Sequence, residues 1–130
     1  MHNDPPSDAT LEKILATPRR IALVGASAKP WRDSHHVMAF LLRHGHDVTP
    51  VNPHLAGQAI HGRRVVPDLA AAASLDMPLE MVDVFRASQH VSAVVDDAIR
   101  LGAAIIWLQL GVIDHDAAAS MERKKREGYF

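Results

Sequence analysis

Two stretches of the chain are apolar without a break: Ile21-Ala22-Leu23-Val24, which ends on Gly25, and Ala103-Ala104-Ile105-Ile106-Trp107-Leu108. A strand with one face in water alternates apolar and polar residues, so unbroken runs this short predict strands covered on both faces. Glu80-Met81-Val82-Asp83-Val84-Phe85 predicts a third strand, with Asp83 inside it as a structural carboxylate. Asp47-Val48-Thr49-Pro50-Val51 predicts another. Its Pro50 requires either an irregular ladder or a place where the missing N–H has no neighbour to serve. Arg64-Val65-Val66 reads as one more short extended piece.

Helical spacing fills the intervals. Val37, Phe40 and Leu41, with Met38 and Leu42 beside them, recur at helical period and stop near His44 and Gly45. Ser88 begins a second set at Val91, Val94, Val95, Ala98, Ile99 and Leu101, which Gly102 closes. Shorter helices are predicted from Ser7 or Asp8 to about Ala16, ahead of Pro18, and over residues 68–74. A last one is predicted from Asp114 or Asp116 to about Arg126, with Gly128 as its stop. Residues 1–7 read as a flexible tail and 8–130 as one domain. Strands alternating with helices predict a doubly wound parallel sheet in three αβα layers. Ligands bind such sheets beyond the carboxyl ends of the strands, so the residues just after each strand are the candidates.

Composition narrows the function. Lys plus Arg number 14 against 15 Asp plus Glu, so there is no overall basic field to recruit nucleic acid. With no cysteine, disulfides, thiolate metal sites and cysteine nucleophiles are excluded, and a reducing, cytoplasmic setting is expected. No stretch approaches the roughly 20 apolar residues of a membrane span, so a soluble protein is expected. Nine histidines predict solubility that changes in mild acid.

The first candidate site is Gly25-Ala26-Ser27-Ala28-Lys29-Pro30-Trp31-Arg32-Asp33-Ser34, a loop that leaves the first strand and enters a helix at Ser34. A helix N-terminus offers unpaired N–H groups and partial positive charge. Gly25 lets the backbone come close to a ligand, and Ser27, Lys29, Arg32 and Ser34 add donors, so a phosphate is expected here. Neither the G-x-G-x-x-G fingerprint nor a Walker pattern is present. Asn52-Pro53 follows the second strand, where Asn52 reads either as a ligand contact or as an ordinary Asx turn. Arg86 directly follows the strand that ends at Phe85 and reads either as a phosphate-reaching cation beside an apolar Phe85 wall or as a solvated Arg beside a core Phe. Gln109 and Gly111 sit at the end of the last, after a Trp107 expected in the core. His35-His36, with His44 and His46 nearby, do not predict a metal site: neighbours on a helix point apart and no carboxylate completes a set. Nothing in the pattern activates His36 as a nucleophile, and Arg123-Lys124-Lys125-Arg126 is accounted for as cations at a helix C-terminus.

Taken in order, VGASAKPWRDSHHV, VTPVNP, VDVFR and WLQLG resemble the small stand-alone CoA-binding Rossmann proteins. These are similar to the N-terminal CoA-binding domain of the succinyl-CoA synthetase alpha subunit. The resemblance runs from about Ile21 to Ala119. It implies a Rossmann-like sheet of order 3-2-1-4-5-6 and coenzyme A or an acyl-CoA as cofactor. Gly25, Ala26, Ser27, Lys29, Arg32 and Ser34 would meet its phosphates, with Asn52, Pro53, Phe85 and Arg86 around the adenosine or pantetheine arm. Members of that family usually continue into a final strand and a Cys-containing tail, whereas this chain stops at Gly128-Tyr129-Phe130. The final strand is therefore expected to be missing or truncated, and the edge so exposed points to a homodimer. The resembling ligase also needs a second domain bearing a phosphohistidine, for which 130 residues leave no room.

Three functions fit these residues. The first is non-catalytic binding of coenzyme A or an acyl-CoA, because no base, nucleophile or metal constellation is present. The second is an NAD(P)-binding oxidoreductase or redox sensor, which would place an acidic residue where Asn52 stands. The third is a scaffold protein with a vestigial nucleotide pocket.

Overall fold

The computed structural model describes residues 8–73, 79–85 and 88–108. Four strands form a parallel sheet: β1 (Arg20–Val24), β2 (Asp47–Val51), β5 (Met81–Val84) and β6 (Ile105–Leu108), in spatial order β2-β1-β5-β6. Helices α2 (Asp33–Arg43) and α4 (Ser88–Arg100) carry two of the crossovers. A short α1 (Asp8–Leu15) precedes β1. Between β2 and β5 the chain makes a small antiparallel hairpin of β3 (Ala59–Ile60) and β4 (Arg63–Arg64), followed by α3 (Leu69–Ala73).

The unbroken apolar runs have the expected cause. In β1, Ile21 and Leu23 face one core with Met38 and Leu41 of α2, Val48 and Met81. Ala22 and Val24 face the other with Val82, Val84 and Val91, Val95 and Ala98 of α4. Each Val, Leu, Ile or Met side chain taken fully from water contributes about 1.5–3 kcal/mol, so alternation with polar residues would remove one of the two cores. Asp83 is buried at the centre of β5. The strand begins one residue earlier than its apolar run because Arg20, though charged, is buried: its guanidinium donates to Thr49 Oγ1 at 2.6 Å and to the Ala72 carbonyl at 3.3 Å, and lies 3.5 Å from Asp47. His46, just ahead of β2, is also buried; its Nδ1 accepts the Arg19 N–H at 3.1 Å, while Nε2 has no partner among the described residues. Burial, then the neighbouring His44 and Arg19, lower its pKa against a smaller opposing effect of a backbone hydrogen bond at Leu15.

The piece predicted at residues 64–66 is divided. His61 and Gly62 turn with φ 49° and 78°, which pairs Arg63 and Arg64 back onto Ile60 and Ala59, and only Val66 reaches the sheet, as a parallel bridge to Val51. Val66 N–H donates to the Pro50 carbonyl and Asn52 N–H to the Val66 carbonyl. Pro50 therefore faces a side with a single bridge in place of a ladder, and its lack of an N–H is tolerated there. Counting only parallel elements, the order reads 3-2-1-4-5, in agreement with the resemblance as far as it goes. The expectations of a missing or truncated final strand, of a last helix and of an exposed edge fall on residues outside the described ones. Glu80, Phe85, Ala103 and Ala104 fall just outside β5 and β6, a shortening of the predicted strands by their end residues.

Candidate functional site

The carboxyl ends of β1, β2 and β5 surround an open cleft of about 590 Å³. Gly25 leaves β1 with φ 87°, a left-handed conformation that a side chain would disfavour. From there Gly25 and Ala26 both donate to the Val51 carbonyl, at 3.0 and 3.3 Å, which folds the loop back over the end of β2. Ser27 Oγ accepts the Lys29 N–H at 3.1 Å and Arg32 N–H donates to the Lys29 carbonyl at 3.1 Å, so two successive turns deliver the chain to α2.

The expected helix start at Ser34 is corrected. Arg32, extended at φ −78° and ψ 144°, occupies the N-cap without a side-chain hydrogen bond, and Ser34 lies inside the first turn, buried. Ser34 cannot cap because the turn closed on Lys29 starts the helix one residue earlier, at Asp33. The consequence is an uncapped helix end facing the cleft. Among the described residues, the N–H groups of Ser27, Ala28, Asp33 and Ser34 meet no acceptor. Unpaired amides at a helix N-terminus, with its partial positive charge, are an anion-binding arrangement. Lys29 and Arg32 add two cations to the lining and Asp33 one carboxylate.

Asn52 joins the two loops. Its Nδ2 donates to the Ala26 carbonyl at 2.8 Å and its Oδ1 accepts the His54 N–H at 2.8 Å. The Asx turn is present, and the same residue lines the cleft. Of the residues singled out in the sequence, Gly25, Ala26, Ser27, Lys29, Arg32, Ser34, Asn52 and Phe85 line this cleft together. Pro53 is exposed beside Asn52 and is not among the lining residues. Arg86, Gln109 and Gly111 lie outside the described residues. Ala28 and Asp33 line the cleft as part of the predicted loop, though neither was given a role, and sequence reasoning missed two further lining residues, His54 and Leu55. The last two follow Asn52-Pro53 directly, so extending the strand-end rule by two positions would have found them.

His35, in the first turn of α2, stacks on His61 of the hairpin with ring centroids 4.0 Å apart, and His61 Nε2 lies 3.0 Å from the His35 carbonyl. Burial, then the neighbouring His61 and His36 imidazoles, lower the His35 pKa. Among the described residues no three His, Asp or Glu side chains cluster as a metal site would require.

A family model described as a CoA binding domain matches residues 19–127. The chain belongs to that CoA-binding domain family. A curated relative, the uncharacterized protein YneT of Bacillus subtilis (strain 168), is 31% identical over 121 residues, 93% of this chain and 86% of that protein. Among solved structures, Prb, a protein redesigned for binding, is 36% identical with a TM-score of 0.79 over 92% of this chain and 81% of its own. A hypothetical protein from Pyrococcus horikoshii OT3 is 33% identical with a TM-score of 0.78, covering 95% and 85%. At greater distance, RSP, a Rex-family repressor solved with beta-NADH, is 16% identical with a TM-score of 0.59 over 92% and 65%, which shows a shared fold alone.

Proposed function

We propose that the cleft binds coenzyme A or an acyl-CoA, without a chemical step, through the loop from Gly25 to Ser34. The observation that carries this reading is the set of four N–H groups, at Ser27, Ala28, Asp33 and Ser34, that meet no acceptor among the described residues and are gathered with Lys29 and Arg32 around one cleft. A diphosphate supplies acceptors for such amides and charge for both cations. Leu55 and Phe85 give the same cleft apolar wall for the rest of the ligand, and membership of the CoA-binding domain family favours coenzyme A among nucleotides. Arg86, Gln109 and Gly111 extend this proposed contact set beyond the described residues.

A nicotinamide nucleotide is the second reading, favoured by the fold shared with RSP, which binds beta-NADH. Against it stands the end of β2. A dinucleotide site places a carboxylate there for the ribose, whereas Asn52 stands there with its amide held between Ala26 and His54. A thermal-shift panel of coenzyme A, dephospho-CoA, NAD and NADH separates the readings. A ligand present at 100 times its Kd stabilises the fold by about 2.7 kcal/mol. The proposal expects the largest shift with coenzyme A. A shift with NADH alone would replace it with the second reading, and no shift with any nucleotide would favour a scaffold.

A further inference from the structure

We propose that Trp31 is a positioning residue that holds the Lys29 ammonium at the mouth of the cleft for an incoming phosphate, an inference that rests on the anion-binding reading above. Trp31 is 71% exposed, the most exposed large apolar side chain among the described residues, and sits on the loop between Lys29 and Arg32. It does not line the cleft, so its place is not explained by direct contact with whatever fills it. Lys29 does line the cleft, and its Nζ lies 5.9 Å from the centroid of the Trp31 ring, within the range of a cation–π pair. Among the described residues Lys29 makes no ion pair.

The choice of partner matters chemically. A carboxylate would hold Lys29 as well, but would neutralise it and compete with the phosphate for it. An aromatic face attracts the ammonium through its quadrupole and leaves the whole charge available. It also restricts a long, rotamer-rich side chain that would otherwise lose that freedom on meeting the ligand.

The test is calorimetry on the full chain with two probes, coenzyme A and inorganic pyrophosphate, for wild type, Trp31→Ala, Trp31→Phe, Lys29→Ala and the double variant. An exposed cation–π pair corresponds to an affinity change of about two- to five-fold. Trp31→Ala is expected to weaken both probes by that factor, Trp31→Phe to restore most of it, and Trp31→Ala to add nothing once Lys29 is alanine. The proposal is overturned if Trp31→Ala leaves both affinities unchanged. It is equally overturned if the same factor is lost in the Lys29→Ala background, or if coenzyme A weakens and pyrophosphate does not, since the ring would then act on the base. A wild-type chain that binds neither probe removes the anion-binding reading itself, a result distinct from all of these. Urea midpoints of the Trp31 variants equal to wild type show that the fold is intact, as the exposure of the ring leads one to expect.

Discussion

Replacing Asn52 by alanine tests how the cleft is built. The change removes the donor to the Ala26 carbonyl and the acceptor for the His54 N–H, both at 2.8 Å, and leaves the strands untouched. A net hydrogen bond is worth about 0.5–1.5 kcal/mol, so the pair sums to about 1–3 kcal/mol. Asn52 is only half-buried and water in the open cleft can replace part of each bond, which places the expected loss in the lower half, about 1–2 kcal/mol. With a urea m-value of about 2 kcal/mol/M, the unfolding midpoint should fall by about 0.5–1 M. The same bonds hold the phosphate loop against the β2 loop, so coenzyme A affinity should fall beyond what the reduced stability explains, as read by calorimetry well below the unfolding transition. Asn52→Asp keeps only the acceptor and sets a negative charge against the Ala26 carbonyl and the proposed phosphate. It should bind coenzyme A more weakly than Asn52→Ala. An Asn52→Ala chain with the wild-type midpoint and the wild-type affinity would refute the coupling of the two loops.

Other consequences are equally direct. Gly25→Ala forces a side chain to φ 87°, which costs about 1–2 kcal/mol, and should lower both the urea midpoint and coenzyme A affinity; unchanged values would mean that the loop can relax. Met38→Ala, in the core between α2 and the sheet, should cost about 2–5 kcal/mol in urea unfolding. Acid should destabilise the fold through His46 and His35. Both pKa values are lowered on folding, so the unfolded chain binds protons first; stability is fully present above the unfolded value of about 6.5 and is lost as pH falls through the folded values. Urea midpoints between pH 7.5 and 5 should therefore decline, with a shallower decline in His46→Gln; equal slopes would exonerate His46.

The core was legible where the pattern had one physical cause. Ile21 to Val24 and the run ending at Leu108 are apolar because two cores press on the sheet, and their shortness and flanking Gly25 and Gly102 favoured strands over buried helix. Arg20 escaped because a buried guanidinium is permitted only by partners distant in sequence, Thr49 and Ala72, which a local pattern does not contain. The hairpin at residues 59–64 escaped because its turn rests on His61 in a left-handed conformation, which Gly62 alone does not announce. At the site, the strand-end rule found the loop and Asn52. It could not find that Asn52 joins the two loops, since that depends on a contact 26 residues away in sequence. The helix was expected to start at Ser34, whereas the turn on Lys29 starts it one residue earlier and leaves the amides open.

That opening is what the account stands on, and calorimetry of the wild-type chain with coenzyme A, repeated for Arg32→Ala, addresses it most directly. The expected result is one ligand bound per chain, with Arg32→Ala weaker than wild type and with its affinity less dependent on salt. Absence of heat with wild type, or an Arg32→Ala titration that superimposes on it, would contradict the assignment of the cleft to a phosphate-bearing ligand.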